Sequence, residues 1–290
     1  MAWLSPPTWP SASFGIPLST ELQQTALDAV QPLSDARFLE THVAFETSSS
    51  QQGQIRKYLM TRPPHPGGSI WSVGCGSGIL DLPILKAWSG SGRRFLGLEP
   101  NELQCESMRQ SLGELELDGR MVASTLEDFE SEERFDLIWL VHAHYYFQNV
   151  PEGLARVARH LQTEGELILV SAPREALNRL ADMFWAPQDE RLWFTDALEA
   201  HFERRGVEAQ THRIDGRLEV GPCFEGTARG DAIRDFVVQA DTLDMSLGLR
   251  GHIDEALRGM SRIEADGRIT VPHPADVFVL NAENARRLVS

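Results

Sequence analysis

The chain of 290 residues is 42% hydrophobic and 24% charged, the profile of a globular protein long enough for one large domain, or one domain carrying an elaborated insertion. Its 42 acidic residues outnumber 27 basic ones, giving a formal net charge of -15; with no run of Lys and Arg, this argues against a nucleic-acid partner and for a small neutral or cationic ligand. No apolar run approaches the ~20 residues of a membrane span, and the scattered Cys75, Cys105 and Cys223 argue against a zinc site or disulfide framework and for a reducing compartment.

Residues 1–19 are rich in Pro and Ser, with Trp3, Trp9 and Phe14 among them, and predict an irregular arm that closes over a site or anchors on the body. The stretch has no basic n-region and no apolar h-region, so it does not read as a secretory signal, and the expected location is cytoplasmic. Ser19 or Thr20 can cap a helix carrying Leu22, Ala26, Leu27 and Val30, which Pro32 ends. A second helix is predicted over 35–45; a polar stretch then leads into 55–60, and TRPPHPGG breaks the chain.

From Ser69 onward strand and helix patterns alternate. Ile70, Trp71 and Val73 form an apolar run that breaks into Gly74, Gly76 and Gly78, and the apolar positions Ile79, Leu80, Leu82, Ile84 and Leu85 follow at helical spacing. Strand, glycine turn and helix bring a nucleotide-like ligand against bare backbone amides. The next apolar run, 95–98, ends in Glu99-Pro100, where an acid can hold a ribose diol. A helix over 101–115, a strand over 120–125, a near-continuous apolar strand over 134–141, a helix over 150–161 and a strand over 166–171 complete the alternation. This predicts a doubly wound, mostly parallel α/β sheet with its sites at the carboxyl ends of the strands. Beyond Pro173 the pattern predicts a helix over 174–185, a Thr195-capped helix to Arg205 and a strand over 207–214. A loop-and-helix insert runs from Gly216 to Met260, and a last strand covers 276–281.

The spacing is G-x-G-x-G; a dinucleotide fingerprint would need glycine at Ile79. With Glu99 after the second strand, the pattern resembles motif I of the class I S-adenosylmethionine-dependent methyltransferases. That resemblance implies a seven-stranded Rossmann-like sheet with S-adenosylmethionine as cofactor and S-adenosylhomocysteine as product. It assigns the cofactor to Gly74, Cys75, Gly76, Ser77, Gly78, Glu99, Pro100 and Gln104, with Thr125 and Leu126 beside the adenine and Val141 and His142 beside the sulfonium.

After the fourth predicted strand stand His142 and His144, two apart and so on one side while the chain stays extended, with Tyr145, Tyr146 and Phe147 behind them. An imidazole there can take a proton from a nucleophile, and the rings can wall a pocket. This region is similar to histamine N-methyltransferase and its relatives, which share the Tyr-Tyr pair, the serine at Ser72, a Pro187-Gln188-Asp189 stretch before Thr195 and a C-terminal strand after a basic-Gly turn. The departures concern the substrate. Ser49 or Ser50 stands where that family has an amine-binding glutamate, with Glu46 the nearest acid. His142 replaces a glutamine, and Pro274 beside His273 replaces an asparagine. Two pocket tryptophans are unmatched, although Trp185 and Trp193 lie nearby.

The expectation is a small-molecule methyltransferase acting on an amine or imidazole nitrogen. Its catalytic residues are His142, His144 and Tyr145, its substrate residues Phe14, Glu46, Tyr145, Tyr146, Trp185 and His273, and it has no metal, nucleic-acid or membrane partner. The expected organisation is an N-terminal helical arm (1–66), a cofactor domain (67–215), a substrate-side helical insert (216–275) and a final strand with its tail (276–290). Methylation of an oxygen with a histidine base and cofactor binding without catalysis are the competing readings. The absence of a D/N-P-P-Y tetrad argues against DNA or glutamine methylation, and no clustered Asp/Asp/Asn set supports a metal-assisted catechol mechanism.

Overall fold

Strand β1 (Ser69–Val73) is buried at every position, and β2 (Arg94–Glu99) at all but its first. Strands covered on both faces belong inside a parallel sheet. The computed structural model, which describes residues 33–115, 118–175, 177–180 and 193–289, places them there. The other strands of the sheet are β3 (Asp118–Ala123), β4 (Phe135–Val141), β5 (Leu161–Ser171), β6 (Gln210–Ile214) and β10 (Ala275–Asn281), in the order β3-β2-β1-β4-β5-β10-β6. β10 is the strand reversed against the rest, antiparallel to β5 on one side and to β6 on the other. This is the doubly wound, mostly parallel sheet that the alternation predicts, with the seven strands that the resemblance implies.

Register explains the burial. Ile70 pairs with Leu137, Trp71 with Ile138 and Ser72 with Trp139. Alternate residues go to opposite faces. Ile70, Leu137, Trp139, Ile168 and Val170 join one core cluster, and Trp71, Ile138, Leu140, Leu167 and Leu169 the other.

Pairing also sets the strand ends. β3 starts at Asp118 because it meets β2 over its full length, and β6 starts only at Gln210, where its ladder to β10 begins. β5 reaches back to Leu161 across a register irregularity opposite β4.

Helices cover both faces. Asn101 and Asn149 cap α4 (Glu102–Gly113) and α5 (Val150–Arg159) by accepting from the amides of Gln104 and Glu152. α3 (Asp81–Ala87) follows the glycine turn. Thr195, expected as a cap, is instead the first residue of α6 (Thr195–Arg205), and its hydroxyl donates to Asp276 Oδ2 at 2.8 Å. α2 (Gln51–Met60) contributes Ile55 and Leu59 to the core, and α9 (Ala282–Arg286) follows β10. Among the described residues no helix is long and apolar enough to cross a membrane.

The chain divides into two compact units. The sheet unit takes residues 52–173, 193–214 and 275–290, and the second unit takes the described residues of 1–51, 174–192 and 215–274. The second unit holds α1 (Asp35–Ser48), α7 (Ala228–Val238) and α8 (Leu247–Met260) around Phe45, Leu218, Ile233, Val237, Ile253 and Val271. Its segment after Gly216 is more than loop and helix. β7 (Arg217–Glu219), β8 (Arg262–Ile263) and β9 (Ile269–Pro272) form a small antiparallel sheet, with β8 and β9 joined by a turn in which Gly267 takes φ +85°. Arg234 is pinned by Asp254 at 2.9 Å and Asp231 at 2.7 Å, and Arg37 pairs with the buried Asp235.

Candidate active site

The strand order reverses between β1 and β4, where a doubly wound sheet leaves its ligand crevice. The chain leaves β1 through Gly74, Gly76 and Gly78, all at positive φ. A Cβ on Gly74 would stand 2.6 Å from that of Ala143, and one on Gly78 2.6 Å from Met108 Sδ. Both the backbone angle and the space therefore demand glycine.

The Gly74 amide donates to Leu98 O at 2.8 Å, tying the turn to β2. At the end of β2, Glu99 Oε2 accepts from the Gly76 amide and Oε1 from the Asn101 amide, each at 3.0 Å. The structure thus joins glycine turn and acid, which lie far apart in sequence. Gln104 stands over Gly76, its Oε1 2.9 Å from where a Cβ would be. Cys75 and Ser77 are half-buried and Pro100 is exposed. Burial, with the fields of Asp81 and Glu99 added, holds the Cys75 thiol well above its ordinary pKa, so it stays neutral. Thr125 Oγ1 lies 2.9 Å from Asp128 Oδ2 and closes a turn, while Leu126 packs its side chain into the core.

The end of β4 departs from expectation. The strand stops at Val141, His142 adopts φ +53°, and residues His144–Tyr146 form one turn of 3-10 helix. The chain is not extended there, so the period of two that would set both histidines on one side does not hold. His142 is half-buried, its amide donating to Val170 O at 3.1 Å and its Nδ1 lying 3.3 Å from Tyr145 Oη. Tyr145 Oη also accepts from the Ala172 amide and lies 3.4 Å from Ser171 Oγ; burial raises the phenol above its ordinary pKa.

His144 is fully buried. Its Nε2 donates to Trp193 O at 2.8 Å, its ring lies 4.1 Å from that of Tyr145, and burial lowers its pKa to about 4. It is a neutral prop under Tyr145. Tyr146 is 61% exposed.

Two predicted substrate residues belong to the second unit. Glu46 Oε1 is 3.6 Å from His42 Nε2, while its Oε2 is buried with no hydrogen-bond partner. His273 Nδ1 is 2.8 Å from Ser49 Oγ, and its ring meets Phe45 edge-on at 4.9 Å. Phe14, Trp185 and the stretch Pro187-Gln188-Asp189 lie outside the described residues. Among the described residues no group of three or more His, Cys, Asp or Glu could hold a metal.

One constellation escaped sequence reasoning. The Trp139 indole Nε1 donates to Ser72 Oγ at 2.8 Å and to Asp81 Oδ1 at 2.9 Å. Asp81 is 1% exposed, and burial raises its pKa to about 6. The available signal was an acid among the apolar residues that follow the glycine turn.

A methyltransferase-domain family model matches residues 70–165. The ubiquinone biosynthesis O-methyltransferase of Nitrobacter winogradskyi is 27% identical over 154 residues, covering 49% of this chain and 57% of that one. The malonyl-[acyl-carrier protein] O-methyltransferase of Anoxybacillus flavithermus is 25% identical over 137 residues, covering 47% and 51%. The chain thus spans just over half the length of these curated relatives. Among solved structures, the YcgJ protein of Bacillus subtilis superposes with a TM-score of 0.55 at 17% identity, over 80% of this chain and 97% of that one. A Bacillus halodurans protein named as a methyltransferase gives 0.55 at 15%, over 79% and 99%. Those two likenesses concern the fold. The family match places a methyltransferase domain over residues 70–165, the stretch that holds the glycine turn and its acid.

Proposed function

We propose that the protein methylates a small molecule at an amine or imidazole nitrogen. The observation that carries this reading is the bond from the Gly76 amide to Glu99, which sets a carboxylate at the rim of a turn built of bare backbone, opposite His142 across the sheet's reversal. The residues fit the cofactor. Glu99 is an acceptor-only carboxylate of the kind that suits a ribose diol, and the glycines let a methionine portion approach the main chain. When bound, S-adenosylmethionine supplies an electrophilic methyl group on a sulfonium.

What the chain itself must add is alignment, exclusion of water and removal of a proton. Tyr145 Oη can accept from both the Ala172 amide and His142 Nδ1–H while donating to Ser171 Oγ. His142 Nε2 then carries the ring's lone pair and receives the acceptor's proton. The Tyr145-Tyr146 pair supports the likeness to the histamine N-methyltransferase family. A small-molecule hydroxyl is the second reading, favoured by the O-methyltransferase names of the relatives.

Calorimetric titration with S-adenosylmethionine, S-adenosylhomocysteine and NADH tests the cofactor. Transfer of a labelled methyl group to panels of amines, imidazoles and phenols tests the acceptor. Micromolar binding of the two sulfur cofactors alone, with label on a nitrogen, is the expected result; label confined to phenols would overturn the nitrogen assignment.

A further inference from the structure

Asp81 is a carboxylate with no evident structural need for its charge. It sits on the first turn of α3, wholly enclosed, with its side chain hydrogen-bonded to the Trp139 indole and the Ser72 hydroxyl. An asparagine would accept the indole's hydrogen bond through its carbonyl and donate to the Ser72 oxygen, without a buried charge. Ser72 lies two residues before Gly74, so the carboxylate is packed against the root of the cofactor turn.

The groups around this pocket are few. β1 gives Ser72, β4 gives Trp139, and the turn gives Cys75, whose neutral thiol feels both Asp81 and Glu99. Both acids therefore act on the turn, and no cation is among the groups that act on Asp81.

We propose that Asp81 is the charge by which this turn distinguishes the cationic sulfonium cofactor from its neutral thioether product. This rests on the S-adenosylmethionine reading given above. Substrate and product forms of the cofactor share adenosine and the amino-acid head and differ by one methyl group and one positive charge at sulfur. A buried anion beneath the turn attracts the charged form through a medium that screens poorly, and it leaves the thioether nearly untouched. Transfer of the methyl group cancels that attraction, which favours release of the product. Glu99, by contrast, meets the ribose, which is the same in both forms.

The test is calorimetry with both cofactors on the wild type and Asp81→Asn, at pH 7.5 and pH 5. In the wild type the preference for S-adenosylmethionine over S-adenosylhomocysteine should fall about fivefold on acidification, as Asp81 takes up its proton. Binding of the sulfonium near pH 6 should release protons, seen as a heat that varies with the buffer's ionisation enthalpy. Asp81→Asn should show the low preference at both pH values and lose that proton release. An unchanged preference in Asp81→Asn, or a wild type that binds the sulfonium near pH 6 without releasing protons, overturns the inference while leaving the cofactor assignment intact. Failure of the wild type to bind either cofactor overturns both. Should Asp81→Asn not fold, the wild-type preference and proton release decide alone.

Discussion

The two strand ends that meet at the reversal of the sheet offer a ligand different things. At the end of β1 the protein presents backbone, with three glycines at positive φ and the Gly76 amide bound to Glu99. At the end of β4 it presents side chains, with His142 turned out of the strand by one left-handed residue and locked to Tyr145. A site made of backbone constrains residue type, because only glycine satisfies both the angle and the space. A site made of side chains constrains direction, which one dihedral can reverse. The first binds and the second, on the reading proposed here, does chemistry.

That division can be broken from either side. The largest expected effect is on the backbone side. Gly74→Val forces a branched side chain into a left-handed angle and against Ala143, a distortion costing about 2–5 kcal/mol. Calorimetry should then detect no binding of either sulfur cofactor, and circular dichroism should report whether the sheet survives. On the side-chain side, His142→Ala should lower kcat by about 10²–10⁴ while the dissociation constant for S-adenosylmethionine stays within a fewfold of the wild type. Equal losses in kcat and in cofactor binding would show that the two ends do not separate. Glu99→Ala is smaller. It removes an ionised acceptor from two backbone amides and from the ribose, so binding should weaken by about 10- to 100-fold, with turnover at saturating cofactor little changed.

The same contrast explains what could be read in advance. Gly74, Gly76, Gly78 and Glu99 were legible because their spacing follows from backbone geometry, and the buried runs of β1 and β4 were legible because both faces are covered. The small sheet β7-β9-β8 was not, since strands of two to four residues are too short to show an alternation. The pairing of His142 with His144 was misread because a period of two holds only while the chain is extended, and the positive φ at His142 ends it. Asp81 was passed over because an acid on the first turn of a helix has an ordinary explanation in the helix dipole. Only the side-chain partners reveal that it is enclosed with an indole and a serine hydroxyl.

Asp81 also separates stability from ligand discrimination, and the sign of its contribution can be worked out. Burial raises its folded pKa to about 6, above the ordinary aspartate value of 3.8. Between those values the native state holds more protons than the unfolded chain, so stability falls as pH rises through that window, and the full cost is present above it. A shift of about two units corresponds to a ceiling of about 3 kcal/mol. Asp81→Asn keeps the acceptor for Trp139 and removes the charge. It should therefore be more stable than the wild type at pH 8, by up to about 2 kcal/mol once an imperfectly satisfied amide is allowed for. That advantage should shrink toward zero as the pH approaches 4. Urea unfolding of both proteins at pH 8 and pH 4.5 measures the difference. A variant that is less stable at pH 8 would mean that the ionised carboxylate is compensated within the fold, leaving no stability cost for a ligand-binding role to explain.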